Sequence, residues 1–147
     1  MKNFNLMMKI KELESHCYAG LAATKHFNIA VKANQSLMAA FTFKDRDIMR
    51  CHNDLEGTYI VHIFAVFEVS LREYWQNSLN RRTKPPVKDL INGVASRLST
   101  RSDVCSRAQA VRDYRNYLVH GGNAQPVTIA DARSYLCTFL SDLPREW

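Results

Sequence analysis

The fold is decided by residues 53–75, NDLEGTYIVHIFAVFEVSLREYW, in which apolar side chains recur every three or four positions. This spacing puts the apolar residues on one side of a helix, the pattern of a helix packed in a protein core. Asn53 and Asp54 are residue types that cap helices, so we expect the helix to begin there and to end before Asn80. Its inner face is expected to carry Ile60, Ile63, Phe64, Phe67, Leu71, Tyr74 and Trp75.

The segment before this helix shows the same spacing. An apolar stripe from Met7 to Leu21 predicts a helix near the start of the chain. Either Gly20 or the Asn34-Gln35 pair is expected to break the segment into two helices, because both contain poor helix formers. Apolar residues within 37–41 indicate a further helical stretch.

The segment after it carries clear start and stop signals. Pro85-Pro86 predicts the start of a helix, where the missing amide hydrogen costs nothing. Residues 99–102 read as a connector, and Ser102 or Asp103 is the expected cap of the following helix. Gly121-Gly122 predicts where that helix stops, because glycine readily adopts the backbone conformation that ends helices.

The last helix is predicted to begin at Thr128, which forms a capping-box variant with Asp131. No stretch of useful length alternates between apolar and polar residues, as a half-buried strand would. The sequence therefore predicts an all-α fold, an up-and-down helical bundle of five or six helices, with residues 1–147 forming a single domain.

Composition limits the classes of function. The chain is 46% hydrophobic and 23% charged, as is ordinary for globular proteins, and no apolar run reaches the roughly 18 residues that a membrane span needs. The charged start does not resemble a signal peptide, and four cysteines without C-x-x-C spacing indicate free thiols and a cytoplasmic location. The net charge of +6 is compatible with a polyanionic partner.

We predict no metal and no cofactor. Two adjacent pairs, His16-Cys17 and Cys51-His52, contain residue types that bind zinc. Neighbouring residues on a helix point about 100° apart and rarely share one metal. No glycine-rich phosphate loop and no Ser-His-Asp or Cys-His arrangement is present in the sequence.

The chemically informative segment is YRNYLVHGG, residues 114–122. Arg115 falls on the apolar stripe of its own helix, where an arginine needs a carboxylate, a buried network or an anionic ligand. Asn116 and His120 are four residues apart and share a neighbouring face. His120 stands at the predicted helix end, where the two glycines allow the imidazole to face outward.

This segment resembles the R-x-x-x-x-H motif of the HEPN superfamily in its R-N-x-x-x-H form. A weaker similarity is to the RiboL-PSP type of stand-alone bacterial HEPN domain. The chain also resembles many HEPN proteins in having an acidic residue, Glu68, on an apolar helix that is expected to face the motif. Glu68 is therefore the candidate partner of Arg115. Arg46 and His52 satisfy a looser form of the spacing and are interpreted as a chance match.

The resemblance implies metal-independent RNA cleavage by attack of a ribose 2′-hydroxyl on the adjacent phosphorus. His120 would transfer a proton, Arg115 would hold the phosphate, and Asn116 would orient His120 or a phosphate oxygen. The family usually combines two motifs across a two-fold interface, so the resemblance also implies a homodimer with a composite cleft. Tyr117 and Val119 are candidates for that interface.

Each of these residues also has a structural interpretation. Arg115 and Glu68 can form a buried structural ion pair, and His120 can be a cation at a helix C-terminus. A further set of basic residues fits either a solvated surface or an RNA path; it consists of Arg81, Arg82, Lys84 and Arg112.

Two functions therefore remain open. One is an endoribonuclease of toxin or anti-phage defence type, with RNA as substrate and an antitoxin or regulatory protein as partner. The other is a non-catalytic helical module for dimerisation or for binding a partner or nucleic acid. Gly122 stands where HEPN toxins paired with nucleotidyltransferase antitoxins often have tyrosine, which argues against that group.

Overall fold

The computed structural model describes residues 2–147, and every secondary-structure element in that range is a helix. Five α-helices follow one another: α1 (Lys2–Ala33), α2 (Asp45–Glu73), α3 (Val87–Leu98), α4 (Ser102–His120) and α5 (Ile129–Ser141). A short 3₁₀ helix (Gln35–Ala40) precedes α2, and a π-helical turn (Tyr74–Ser78) extends it. The predicted all-α bundle is thus confirmed.

Helix α2 is the centre of the bundle, because it packs against each of the other four α-helices. One core cluster joins all five, and its largest side chains with almost no exposure are Phe64, Phe67, Phe139, Ile10, Ile60, Ile63, Leu71, Leu90, Ile91, Ile129, Leu136 and Leu140. Each fully buried apolar side chain of this size contributes about 1.5–3 kcal/mol relative to an exposed one. No helix among residues 2–147 combines enough length with enough apolar character to cross a membrane.

The start of α2 differs from the prediction. The helix begins at Asp45, so Asn53 and Asp54 lie inside it rather than at its cap. The Lys44 backbone N–H donates to Asp47 Oδ2 at 2.9 Å, and both aspartates stand in the first turn, where negative charge complements the helix dipole. The helix therefore starts at the signal formed by Asp45 and Asp47. Tertiary packing then keeps Asn53 and Asp54 helical, although both are weaker helix formers.

The first segment breaks at Asn34 and not at Gly20. Asn34 Oδ1 accepts hydrogen bonds from the backbone N–H and the hydroxyl of Ser36, at 3.2 and 2.6 Å, and thereby caps the 3₁₀ helix. Gly20 lies in the middle of α1, where a Cβ atom would stand 2.6 Å from Leu55 Cδ2. The glycine therefore serves the close approach of α1 and α2.

The remaining boundaries follow the sequence closely. Pro86 is the N-cap of α3, and Thr128 Oγ1 accepts from the Asp131 N–H at 3.1 Å at the start of α5. Helix α4 ends at His120, and Gly121 follows with a φ of +77°. One cap was predicted wrongly: Arg101 is the N-cap of α4, and neither Ser102 nor Asp103 caps the helix with its side chain.

Candidate active site at the end of α4

Arg115 faces the core, as its place on the apolar stripe predicts. Its guanidinium carbon lies 5.8 Å from the ring centre of Phe64, and Nη1 donates to Asn116 Oδ1 at 3.0 Å. The Phe64 ring and the Asn116 amide oxygen therefore hold this half-buried cation. The buried Nε–H group has no acceptor among the described residues.

The predicted pairing of Arg115 with Glu68 is wrong. Glu68 Oε1 instead accepts from Arg72, through Nε at 2.9 Å and Nη2 at 2.8 Å. Arg72 also donates through Nη1 to the Pro85 carbonyl at 3.2 Å. Glu68 and Arg72 are one turn apart on α2, so they meet without any contribution from another helix, whereas Arg115 would have to reach across from α4.

His120 is the last residue of α4, and its side chain is exposed. Five residues separate it from Arg115, which corresponds to about 140° around a helix. Asn116 lies one turn before His120 and already holds Arg115, so it is the residue between the two. One chain therefore presents the guanidinium and the imidazole on different sides of α4. Tyr117 and Val119, the expected interface residues, are 41% and 48% exposed.

The predicted RNA-binding residues separate into two groups. Arg81, Arg82 and Lys84 are exposed in the segment between the π-helical turn and α3. Trp75 Nε1 donates to Thr83 Oγ1 at 3.2 Å, which places this segment at the far end of α2.

The end of α4 contacts α2 at a different place, at Gly57, which lies beside Leu118. Gly57 and Trp75 are separated by about 27 Å of helix, at 1.5 Å per residue. The structure thus does not bring the basic segment 81–84 to the motif. Arg112 is closer, but its side chain is only 15% exposed and is paired with Asp113.

Arg46 and His52, the chance match to the motif, each contact other residues. His52 Nδ1 and Thr24 Oγ1 lie 2.7 Å apart where α1 and α2 pair, and Arg46 lies 4.0 Å from Asp47 at the start of α2. Cys17 is buried whereas Cys51 is exposed. Among residues 2–147, no three His, Cys, Asp or Glu side chains converge as a metal site requires.

Sequence reasoning missed a cleft of about 290 Å³ between α2 and the end of α4. Helix α4 contributes Tyr114 and Leu118, and α2 contributes Asn53, Asp54, Glu56, Gly57, Thr58 and Val61. By residue type alone, Asn53 and Asp54 predict a helix cap and not the wall of a cleft. The signal that would have revealed the cleft is the group of poor helix formers at 53, 54, 57 and 58, inside a region whose apolar spacing predicts helix.

Two contacts define the chemistry of this cleft. Glu56 Oε1 accepts from the backbone N–H of Ile129 at 2.8 Å, which ties α2 to the start of α5. The rings of Tyr114 and Tyr117 stack with centres 5.9 Å apart and planes at 17°. Burial, and then the nearby Glu56 carboxylate and Tyr117, raise the pKa of the Tyr114 hydroxyl above its ordinary value of 10.0.

Comparison with models of protein families, with curated proteins and with solved structures finds no significant match to this chain.

Proposed function

We propose that the chain is a metal-independent endoribonuclease of the HEPN type, acting on RNA in the cytoplasm as a toxin or anti-phage defence effector. The observation that carries the proposal is the arrangement at the end of α4. Arg115 is held by Asn116 and Phe64, and His120 faces solvent one turn beyond Asn116. The last two turns of α4 thus carry a fixed cation, a proton-transfer group and an amide that can orient a phosphate or the imidazole.

The proposed reaction is an intramolecular transesterification. The ribose 2′-oxygen attacks the adjacent phosphorus and loses its proton to a base, while the bond from phosphorus to the 5′-oxygen breaks and that oxygen gains a proton. An imidazole serves as base or acid near neutral pH. The Arg115 guanidinium stabilises the charge that develops on the phosphoryl oxygens. The products are a 2′,3′-cyclic phosphate and a 5′-hydroxyl.

The site is proposed to be completed by a second copy of the chain. Arg115 and His120 diverge around α4, so the pair of one chain converges poorly on a single phosphate. Two chains related by a two-fold axis would form one composite site that contains Arg115 and His120 of each chain. The exposed Tyr117 and Val119 lie beside the motif and fit the apolar centre of such an interface.

Cleavage of a single-stranded RNA in excess EDTA tests the chemistry. The expected result is retained cleavage with 2′,3′-cyclic phosphate or 3′-phosphate ends, and loss of cleavage in His120→Ala. His16→Ala, which removes an exposed histidine of α1, is the matched control and should cleave at the rate of the wild type. Activity that is abolished by EDTA and restored by magnesium would contradict the proposed mechanism.

The non-catalytic alternative makes a different prediction for the same protein. A chain that dimerises or binds a partner protein but leaves RNA intact over a wide range of protein concentration would favour a dimerisation or partner-binding module. In that case the exposed Tyr117 and Val119 would remain the expected contact residues.

A further inference from the structure

The cleft between α2 and α4 coincides with a conflict between local sequence and local structure. Asn53, Asp54, Gly57 and Thr58 favour turns or caps over helix interiors, yet they lie in the middle of α2. All four line the cleft. Places where the residue type opposes the backbone it adopts are commonly functional sites.

The walls of the cleft differ in chemistry. Helix α4 lines the cleft with the aromatic and apolar side chains of Tyr114 and Leu118, and α2 lines it with Val61 and with the carboxylates of Asp54 and Glu56. Two carboxylates repel a phosphate, but they accept hydrogen bonds from N–H groups. In a chain with a net charge of +6, this acidic cleft is suited to a ligand that carries N–H donors on a flat ring.

Size and position restrict the ligand further. A volume of about 290 Å³ lies at the lower end of the roughly 300–1,000 Å³ found for small-molecule pockets, so the cleft fits a single ring system. Tyr114 stacks on Tyr117, and Tyr117 lies one turn before His120 on the helix surface. The two tyrosine rings therefore extend along α4 from the cleft toward the turn that carries the proposed catalytic imidazole.

We propose that this cleft is a nucleobase subsite that takes a guanine of the RNA substrate. The proposal rests on the proposed RNA cleavage for its substrate. Guanine presents N1–H and the N2 amino group side by side on its Watson–Crick edge, which matches a carboxylate acceptor. Uracil has a carbonyl on each side of its single N–H, and these oxygens would face Asp54 and Glu56. The Tyr114 ring lies where a base can pack against it.

Nucleotide binding tests the subsite without requiring cleavage. Guanosine, inosine and uridine 3′-monophosphates are titrated into the ¹⁵N-labelled chain. We expect the guanosine nucleotide to shift the amide signals of residues 53–58 and 114–118 and to bind about tenfold more tightly than the uridine nucleotide. Inosine lacks only the 2-amino group, so its nucleotide should bind more weakly than that of guanosine.

Two conservative variants locate the preference. Asp54→Asn and Glu56→Gln each remove one carboxylate, and the glutamine keeps an oxygen for the Ile129 N–H, so the fold is retained. Both should reduce the guanosine-to-uridine ratio severalfold, while lowering the melting temperature by less than about 2 °C. Glu12→Gln on the exposed side of α1 is the control and should leave the ratio unchanged.

Equal affinity for the three nucleotides, or amide shifts that inorganic phosphate reproduces, would overturn the subsite. The His120→Ala variant separates the two proposals, because it should lose RNA cleavage but keep the wild-type ratio of guanosine to uridine nucleotide affinity. If RNA is cleaved but guanine is not preferred in binding, the subsite alone is wrong. If guanine is preferred but RNA stays intact, the subsite stands and the cleavage proposal is wrong.

Discussion

Glu68 binds Arg72 and not Arg115. One carboxylate oxygen accepts from both Nε and Nη2 of Arg72, and the same guanidinium donates to the Pro85 carbonyl. The pair thus connects the second half of α2 to the chain that leads into α3. Arg115 is left with Asn116 and the Phe64 ring as its support, so the motif is not connected to Glu68 by an ion pair.

A double-mutant cycle tests this pairing. Glu68→Ala and Arg72→Ala should couple by about 0.5–1 kcal/mol in the free energy of unfolding, the modest value expected for a partly exposed pair one turn apart. Glu68→Ala and Arg115→Ala should add to within about 0.5 kcal/mol. Urea denaturation of the wild type, the three single variants and the two double variants measures both terms. A larger coupling of Glu68 with Arg115 than with Arg72 would reinstate the pairing that the sequence predicted.

Arg115→Met should separate stability from activity. Methionine keeps an unbranched apolar stem against Phe64 and leaves no buried charge, so we expect a change of less than about 1 kcal/mol in the free energy of unfolding. The RNA cleavage proposed above should nevertheless be lost, because the charge on the phosphate is no longer compensated. Thermal melting and an RNase assay on the same preparation check both parts. Cleavage at the wild-type rate would show that Arg115 is structural.

Glu56 should behave as a cap for α5. Glu56→Ala leaves the Ile129 N–H without its acceptor and is expected to cost about 1 kcal/mol of stability, as lost caps do. Glu56→Gln keeps an acceptor and should cost less than half as much. Glu12→Ala, which alters an exposed carboxylate on α1, is the control. Equal losses for alanine and glutamine would mean that the charge, and not the hydrogen bond, matters.

The cysteines should differ in reactivity. Burial raises the pKa of the Cys17, Cys105 and Cys137 thiols above the ordinary 9.0, whereas Cys51 is exposed. Iodoacetamide at pH 8 should therefore label Cys51 first, because the thiolate is the reactive form. Peptide mass spectrometry gives the order, and equal labelling in urea is the control. Rapid labelling of Cys17 in the native protein would contradict its burial.

The same shifts predict how stability depends on pH. A thiol whose pKa is raised in the folded state contributes stability at pH values below its unfolded pKa, near 9. That contribution is lost as the pH rises through the folded-state pKa. Stability should therefore decline from about pH 9 upward, and Cys137→Ser should reduce the decline.

Mixing two inactive variants tests the composite site. Arg115→Met and His120→Ala should each lack activity, while a mixed dimer still offers Arg115 from one chain and His120 from the other. Partial recovery of RNA cleavage is the expected result, with a solution mass of twice 16.9 kDa by light scattering. A monomer that cleaves RNA at the full rate would contradict the composite site.

The sequence by itself determined the helices. Apolar spacing, Pro86, Thr128 and Gly121 act over one or two turns, so the helical class and most boundaries could be predicted from neighbouring residues. The half-buried position of Arg115 followed in the same way from the stripe on its helix. The exposed position of His120 followed from the helix end.

Only the tertiary structure decided which side chains meet between helices. Glu68 was expected at Arg115 but binds Arg72, because a partner on the same helix needs no reach across the core. The residue types of Asn53 and Asp54 predict a cap, but α2 packs against α1 and α4 and remains helical at both positions. There the two side chains line the cleft. Local spacing specifies the face on which a residue lies. The distance to another helix depends on how the whole core packs.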